Sequence, residues 1–222
     1  MLSGNILRGN VLIFISMASF IIVGLFSNSH VCASDDKTIV ELWDTVKAPA
    51  PVELKVVKLN PQETAFLILD MEGRTCNSKD QPRCVASVSK IKGFLDQAKG
   101  KGVAVVYSLT RTGKPETILP DVAPVGHEPI VKSSVDKFFN TDLEKILLEK
   151  GIKTVVIAGT TAEGAVLHTA TGAAIRGLQV IVPIDGMSAG TLYAEQYTAW
   201  HLINAPGSRQ KTTLTRFDMI GF

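Results

Sequence analysis

Four uninterrupted apolar runs recur along this chain, each separated from the next by enough residues for one helix: Thr64–Asp70 (TAFLILD), Val103–Leu109 (VAVVYSL), Thr154–Gly159 (TVVIAG) and Gln179–Asp185 (QVIVPID). A strand with one wet face alternates apolar and polar residues, so runs without alternation belong to strands covered on both faces. The intervening segments carry helical spacing. Val85–Lys101 places Val88, Ile91, Leu95 and Ala98 three to four apart and stops at Gly102. Thr141 caps DLEKILLEK, which ends at Gly151; Ala162–Arg176 is a helix of small residues ending at Gly177; Leu192–Asn204 is a further helix. The tail, Leu214–Phe217, reads as an edge strand. Strands alternating with helices imply βαβ units with right-handed crossovers. The expected fold is α/β: a three-layer αβα arrangement around a mostly parallel central sheet.

In such sheets ligands bind beyond the carboxyl ends of the strands. That rule singles out Asp70 after the first strand, Thr110 and Arg111 after the second, and Gly159–Ala165 after the third. Asp70 closes a wholly apolar strand, where partial burial raises a carboxyl pKa and equips it as a general acid or base; capping or turning the chain is the alternative role. Glu72 shares its face if the strand continues. The turn from Gly159 (GTTAEGAVLHTATGAA) sets small residues ahead of a helix, so its backbone N–H groups can hold an anion or a developing oxyanion. Close packing of that helix on the sheet is a compatible reason for the small residues. His127, Trp200 and His201 have no identifiable partner.

The amino terminus belongs to another class. Arg8 is the only charge before an apolar run of 16 residues, Val11–Phe26, followed by a polar stretch with Val31 and Ala33 at small-residue positions. A positive start, an apolar middle and such an end describe a secretory signal peptide cleaved after Ala33. The run is short of the roughly 20 residues a membrane span needs, so an uncleaved anchor is the second reading. Residues 34–62 then form a polar, Pro-rich arm, and 63–222 the domain. Export changes the meaning of Cys76 and Cys84. They lie eight apart in a polar loop, where an oxidising compartment favours a disulfide over a thiolate. A formal net charge of +2 without a Lys/Arg cluster excludes a dedicated nucleic-acid binder. No metal site or cofactor is expected.

From Thr64 to Asp185 the chain resembles the isochorismatase-like, or cysteine hydrolase, family. FLILDMEG resembles the family's first strand with its catalytic Asp, which is usually followed by Met-Gln; here Glu72 replaces the Gln. VKSSVDKFFNTDLEKILLEKGIKTVVIAG is similar to the most specific stretch: a Lys, then Phe-x-x-Thr-x-Leu, a Gly-Ile pair and a strand ending in Gly. This alignment identifies Lys132, not Lys137, as the family lysine. IVPIDGMSA resembles the next strand. Members follow the strand before the small-residue helix with Gly-x-x-Thr-x-x-Cys-Val, the Cys being the nucleophile. Counted from Gly159, those positions are Ala162 and Ala165, and a methyl group cannot attack a carbonyl.

The resemblance implies Asp70, Lys132 and the Ala165 position as the catalytic set; together with the position of the strand ends it leaves Glu72, Arg111, Thr161, Ala162 and Gly164 as the residues expected around the substrate. Isochorismate hydrolases also lack the Cys and carry Ala at the first position; in them the Asp protonates a vinyl ether and water completes hydrolysis. Glu163 stands where they usually have His. The expected function is therefore an exported hydrolase of a small molecule, without a covalent cysteine intermediate. A non-catalytic descendant binding a small molecule or a partner protein is the alternative. A homo-oligomer is compatible with the family, and no membrane contact is expected after cleavage.

Overall fold

The computed structural model describes residues 37–222, so the expected signal peptide and its apolar run lie outside the described residues. Residues 37–48 form a unit of their own, with a short helix α1 (Ile39–Leu42) capped by Thr38 and a 3-10 turn at Trp43–Thr45. The second unit starts at Pro49. Half of the expected arm therefore folds with the domain. Val52 and Leu54 pack against one apolar core and Val57 and Leu59 against another, and β1 (Val57–Lys58) pairs with the end of the chain.

In chain order the elements that follow are β2 (Thr64–Leu69), α2 (Pro82–Gly100), β3 (Ala104–Leu109), β4 (Ile130–Lys132), α3 (Leu143–Glu149), β5 (Thr154–Thr160), α4 (Leu167–Ile175), β6 (Gln179–Pro183), β7 (Met187–Ser188), α5 (Leu192–Asn204), β8 (Thr212–Thr215) and β9 (Ile220–Gly221). The main sheet runs β4-β3-β2-β5-β6-β8, with β7 beside the end of β5, and every pairing in it is parallel. The tail is the expected edge strand: β8 pairs with β6. The short strands β1, β4, β7 and β9 carry too few residues to show a period in the sequence.

Two cores cover the two faces of the sheet. Successive strand residues point to opposite sides, so in β2 Phe66 and Ile68 pack with Ile91, Phe94, Leu95 and Ala98 of α2. Ala65, Leu67 and Leu69 pack instead with residues of α3, α4 and α5. All six residues of β2 are buried, and each large apolar side chain so removed from water stabilises by roughly 1.5–3 kcal/mol. This is the expected three-layer αβα fold. Cys76 and Cys84 form a disulfide that ties the loop after β2 to the first turn of α2.

Register places the site. Leu69 is the partner of both Ser108 and Gly159, so the carboxyl ends of β2, β3 and β5 stand side by side. Gly159 has φ of 131°, and a Cβ there would run into the carbonyl of Leu69. Only glycine permits this close approach. Gly159→Ala is expected to cost more than about 3 kcal/mol in urea denaturation; a loss below about 1 kcal/mol would show that the strand ends tolerate separation.

Candidate active site

Asp70 leaves β2 with φ of 52°, a left-handed turn that Asp tolerates better than most residues. It is 5% exposed. The Ser108 hydroxyl donates to Asp70 Oδ1 at 2.7 Å, and the Lys137 ammonium pairs with Oδ2 at 2.7 Å. Burial is the largest influence on this carboxyl and raises its pKa, outweighing the opposing pull of Lys137 and Ser108; the nearby Glu72 charge adds to the rise.

The lysine at Asp70 is thus Lys137, and the assignment to Lys132 is corrected. Lys132 is the last residue of edge strand β4 and its side chain is exposed, with no ion pair to Asp70. Lys137 is fully buried. Its Nζ also donates to the Ser134 carbonyl at 2.6 Å and to the carbonyls of Ser133 and Leu109 at 3.4 Å. An ammonium has only three donors, and these four oxygens use them all. Lys137 therefore positions Asp70 and the Ser133–Ser134 backbone.

The small residues of α4 hold this lysine in place. Thr169 Oγ1 accepts from Lys137 N–H at 3.2 Å. Gly172 lets the preceding loop approach, since a Cβ there would lie 3.0 Å from Asp136 Oδ1 and 3.2 Å from the Phe138 ring. Close packing on α4, expected from the small residues, so determines where Lys137 sits.

A cavity of about 310 Å³ opens in front of Asp70, lined by Asp70, Thr75, Thr110, Arg111, Ser133, Ser134, Val135, Thr160, Thr161 and Ala165. Asp70, Arg111, Thr161 and Ala165 are thereby brought together from three loops. Besides Lys132, three other expected residues do not line it. Ala162 is buried in the core. Gly164 backs onto Thr161 Oγ1, where a Cβ would meet that hydroxyl at 2.6 Å. Glu72, 1% exposed, turns beneath the following loop: its carboxylate accepts from Thr110 N–H at 2.7 Å and from the Thr117 hydroxyl at 3.1 Å. Glu72 therefore braces the loop that carries Thr110 and Arg111. Of the turn amides expected to face a ligand, those of Gly164 and Val166 are taken, both donating to the Thr161 carbonyl. The first helical turn, Ala162–Val166, is wider than an α-turn, and the Thr160–Thr161 peptide bond is cis.

Ser108 was missed in the sequence, although it had a signal, as a small hydroxyl in an apolar strand one residue before the sheet's ligand end; Lys137 was weighed against Lys132 and set aside, because the motif count favoured Lys132. A larger groove of about 750 Å³ lies along α4 and α5 and includes His168 and His201; His201 Nδ1 lies 3.2 Å from the Tyr197 hydroxyl. The two acids that line that groove are the half-buried Asp136 and the exposed Glu163. Among the described residues no cluster of His, Cys, Asp or Glu could hold a metal ion, and no helix is long and apolar enough to cross a membrane.

The two lysines separate by experiment. Lys137→Met leaves a buried carboxylate without its partner and is expected to destabilise the fold by about 3–5 kcal/mol. Lys132→Met should stay within about 0.5 kcal/mol of the parent. Urea denaturation of both variants reads the difference, and the reverse ranking would overturn the assignment.

Comparison with known proteins places the chain in a family and matches its fold. The model of the isochorismatase domain matches residues 64–213. N-carbamoylsarcosine amidase of Arthrobacter sp. is 28% identical over 92 residues, 41% of this chain, and the match spans only 35% of that amidase. Among solved structures, an isochorismatase-like hydrolase from Alkaliphilus metalliredigens superimposes with a TM-score of 0.64 at 24% identity, covering 70% of this chain and 95% of the other. N-carbamoylsarcosine amidase from Thermoplasma acidophilum does so at 0.62 and 20% identity, covering 70% and 97%. At these identities the structural likeness speaks for the fold, while the family model takes in the segments that carry Asp70, Ser108, Lys137 and Ala165. The chain belongs to the isochorismatase family.

Proposed function

We propose that this isochorismatase-family chain is an exported hydrolase of a small molecule that works without a covalent cysteine intermediate. The observation that carries the reading is the buried Asp70–Lys137 pair at 2.7 Å, set beside a cavity whose wall at the expected nucleophile position is the methyl group of Ala165. Both cysteines of the described residues are joined to each other, so neither offers a thiolate to the cavity. Water is then the nucleophile. Asp70 gives a proton to the departing oxygen or nitrogen of an amide, ester or ureido compound or to the vinyl carbon of a vinyl ether, or takes one from the attacking water, and Lys137 keeps its carboxyl aimed at the cavity. Turn amides that do not close the turn at Thr161 receive the developing negative charge. The disulfide supports export, because such bonds persist in oxidising compartments, and the segment Val11–Ala33 supplies the signal. The amidase relatives make amides and ureido compounds natural first substrates, with esters and vinyl ethers beside them.

Asp70→Asn keeps the size of the side chain and removes its proton chemistry. It is expected to lower kcat/KM by about 10²–10⁴-fold on whichever of these substrates the parent turns over. Tight binding without turnover in the parent, unchanged in Asp70→Asn, would replace the hydrolase by a binding protein.

The pH profile gives a separate check. Burial raises the Asp70 carboxyl above the ordinary value of about 3.9. Acting as an acid, Asp70 must be protonated, so the rate falls as pH rises through its raised pKa; acting as a base, the rate rises there. Either limb should lie above the ordinary carboxylate range and be missing in Asp70→Asn. A profile shared by parent and variant would remove Asp70 from the chemistry.

A further inference from the structure

The lining of the Asp70 cavity also bears on what enters it. Six of its ten residues carry hydroxyls (Thr75, Thr110, Ser133, Ser134, Thr160 and Thr161), only Val135 and Ala165 are wholly apolar, and none is aromatic. A ring substrate would find no stacking partner and forgo the roughly 0.5–1.5 kcal/mol that aromatic pairs add. At about 310 Å³ the space stands at the small end of ligand cavities, which run from roughly 300 to 1,000 Å³.

The charges around it do not cancel. Asp70 is neutralised by Lys137. Glu72 is turned under the loop and held by Thr110 N–H and the Thr117 hydroxyl. Arg111 lines the cavity, is exposed, and makes no ion pair among the described residues. A second guanidinium stands at the same rim. Arg74 donates to the Thr110 hydroxyl at 3.2 Å and likewise has no carboxylate partner among the described residues. The loop carrying Arg111 is braced from below by Glu72, and a Cβ at Gly113 would collide with that carboxylate. This is a cationic rim contributed by two loops, the one carrying Arg111 braced by Glu72 and the one carrying Arg74 joined to it at Thr110, beside a lining rich in hydroxyl residues.

We infer that the site takes a small, open-chain carboxylate, with the Arg111 guanidinium as the anchor of its carboxyl group. A guanidinium meets a carboxylate through two parallel N–H bonds, which fixes orientation as well as charge. Arg74 adds to the positive field and steadies Thr110; the hydroxyls of Thr75, Ser133 and Thr160 donate to backbone carbonyls, so those of Ser134 and Thr161 receive the polar remainder of the molecule. The anchored end lies on the Arg111 side of the cavity, leaving the hydrolysable bond toward Asp70 and Ala165. This rests on the proposed reaction only for that last placement; the anion preference stands on the rim itself.

Titration calorimetry on the full chain tests it, with N-carbamoylsarcosine, succinate and malate as probes, the uncharged amide of each as control, and nicotinamide as a ring compound. At least one carboxylate should bind, with its amide and nicotinamide bound at least about tenfold more weakly. Arg111→Gln, a change on an exposed side chain, should weaken that carboxylate by about 10- to 100-fold, with Arg111→Lys recovering part of the loss. Added salt should weaken binding in the parent more than in Arg111→Gln. Amides bound as tightly as acids, no carboxylate bound, or an unchanged affinity in Arg111→Gln would each overturn the inference. Asp70-dependent turnover of an uncharged substrate would sink the anion preference and leave the hydrolase standing. Arg111-dependent binding of a carboxylate that is never turned over would do the opposite.

Discussion

The ion pair between Asp70 and Lys137 is the interaction on which the rest of the site depends. Two charges removed from water repay their desolvation only where geometry is good and the remaining donors and acceptors are met. Both conditions hold here. Lys137 shares its donors among one carboxylate oxygen and three backbone carbonyls, and Asp70 receives the Ser108 hydroxyl on its other oxygen. A pair so enclosed ties together the ends of β2 and β3 and the loop after β4. The same enclosure raises the Asp70 carboxyl, because burial acts on it more strongly than its cationic neighbour does.

What surrounds the pair is a division of labour among polar groups. Glu72, two residues from Asp70, takes no part in the cavity and instead holds the Thr110–Arg111 loop through its own hydrogen bonds. Lys137 acts through Asp70. Cys76 and Cys84 tie down the loop that brings Thr75 to the cavity wall. Each of these groups is buried and satisfied, which is the ordinary requirement for polar atoms away from water. The side chains that line the cavity are six hydroxyl residues, Asp70, Arg111, Val135 and Ala165, and the hydroxyls of Thr75, Ser133 and Thr160 donate to backbone carbonyls.

The order of layers was legible in the sequence because its cause is local. A strand buried on both faces must be apolar throughout, and a helix on a sheet must be apolar every third or fourth residue. TAFLILD and Leu192–Asn204 show these patterns with nothing else known. The position of Asp70 at the ligand edge follows from the same reasoning, since strand ends in a parallel sheet lie on one side. Short strands were not legible: β4 has three residues and β7 two, and their pairing depends on neighbours distant in the chain.

The sequence alone determined the fold class, the acid at the end of β2, the pairing partners Cys76 and Cys84, and the alanine at position 165. Only the tertiary structure decided which lysine meets the acid. Lys132 and Lys137 lie five residues apart, both are ordinary in composition, and a count along a motif favoured the wrong one. Burial settles the matter: Lys132 ends an edge strand and reaches water, whereas Thr169 and Gly172 of α4 draw the backbone of Lys137 inward against the sheet. Those contacts span more than thirty residues, and no local pattern of residues encodes them.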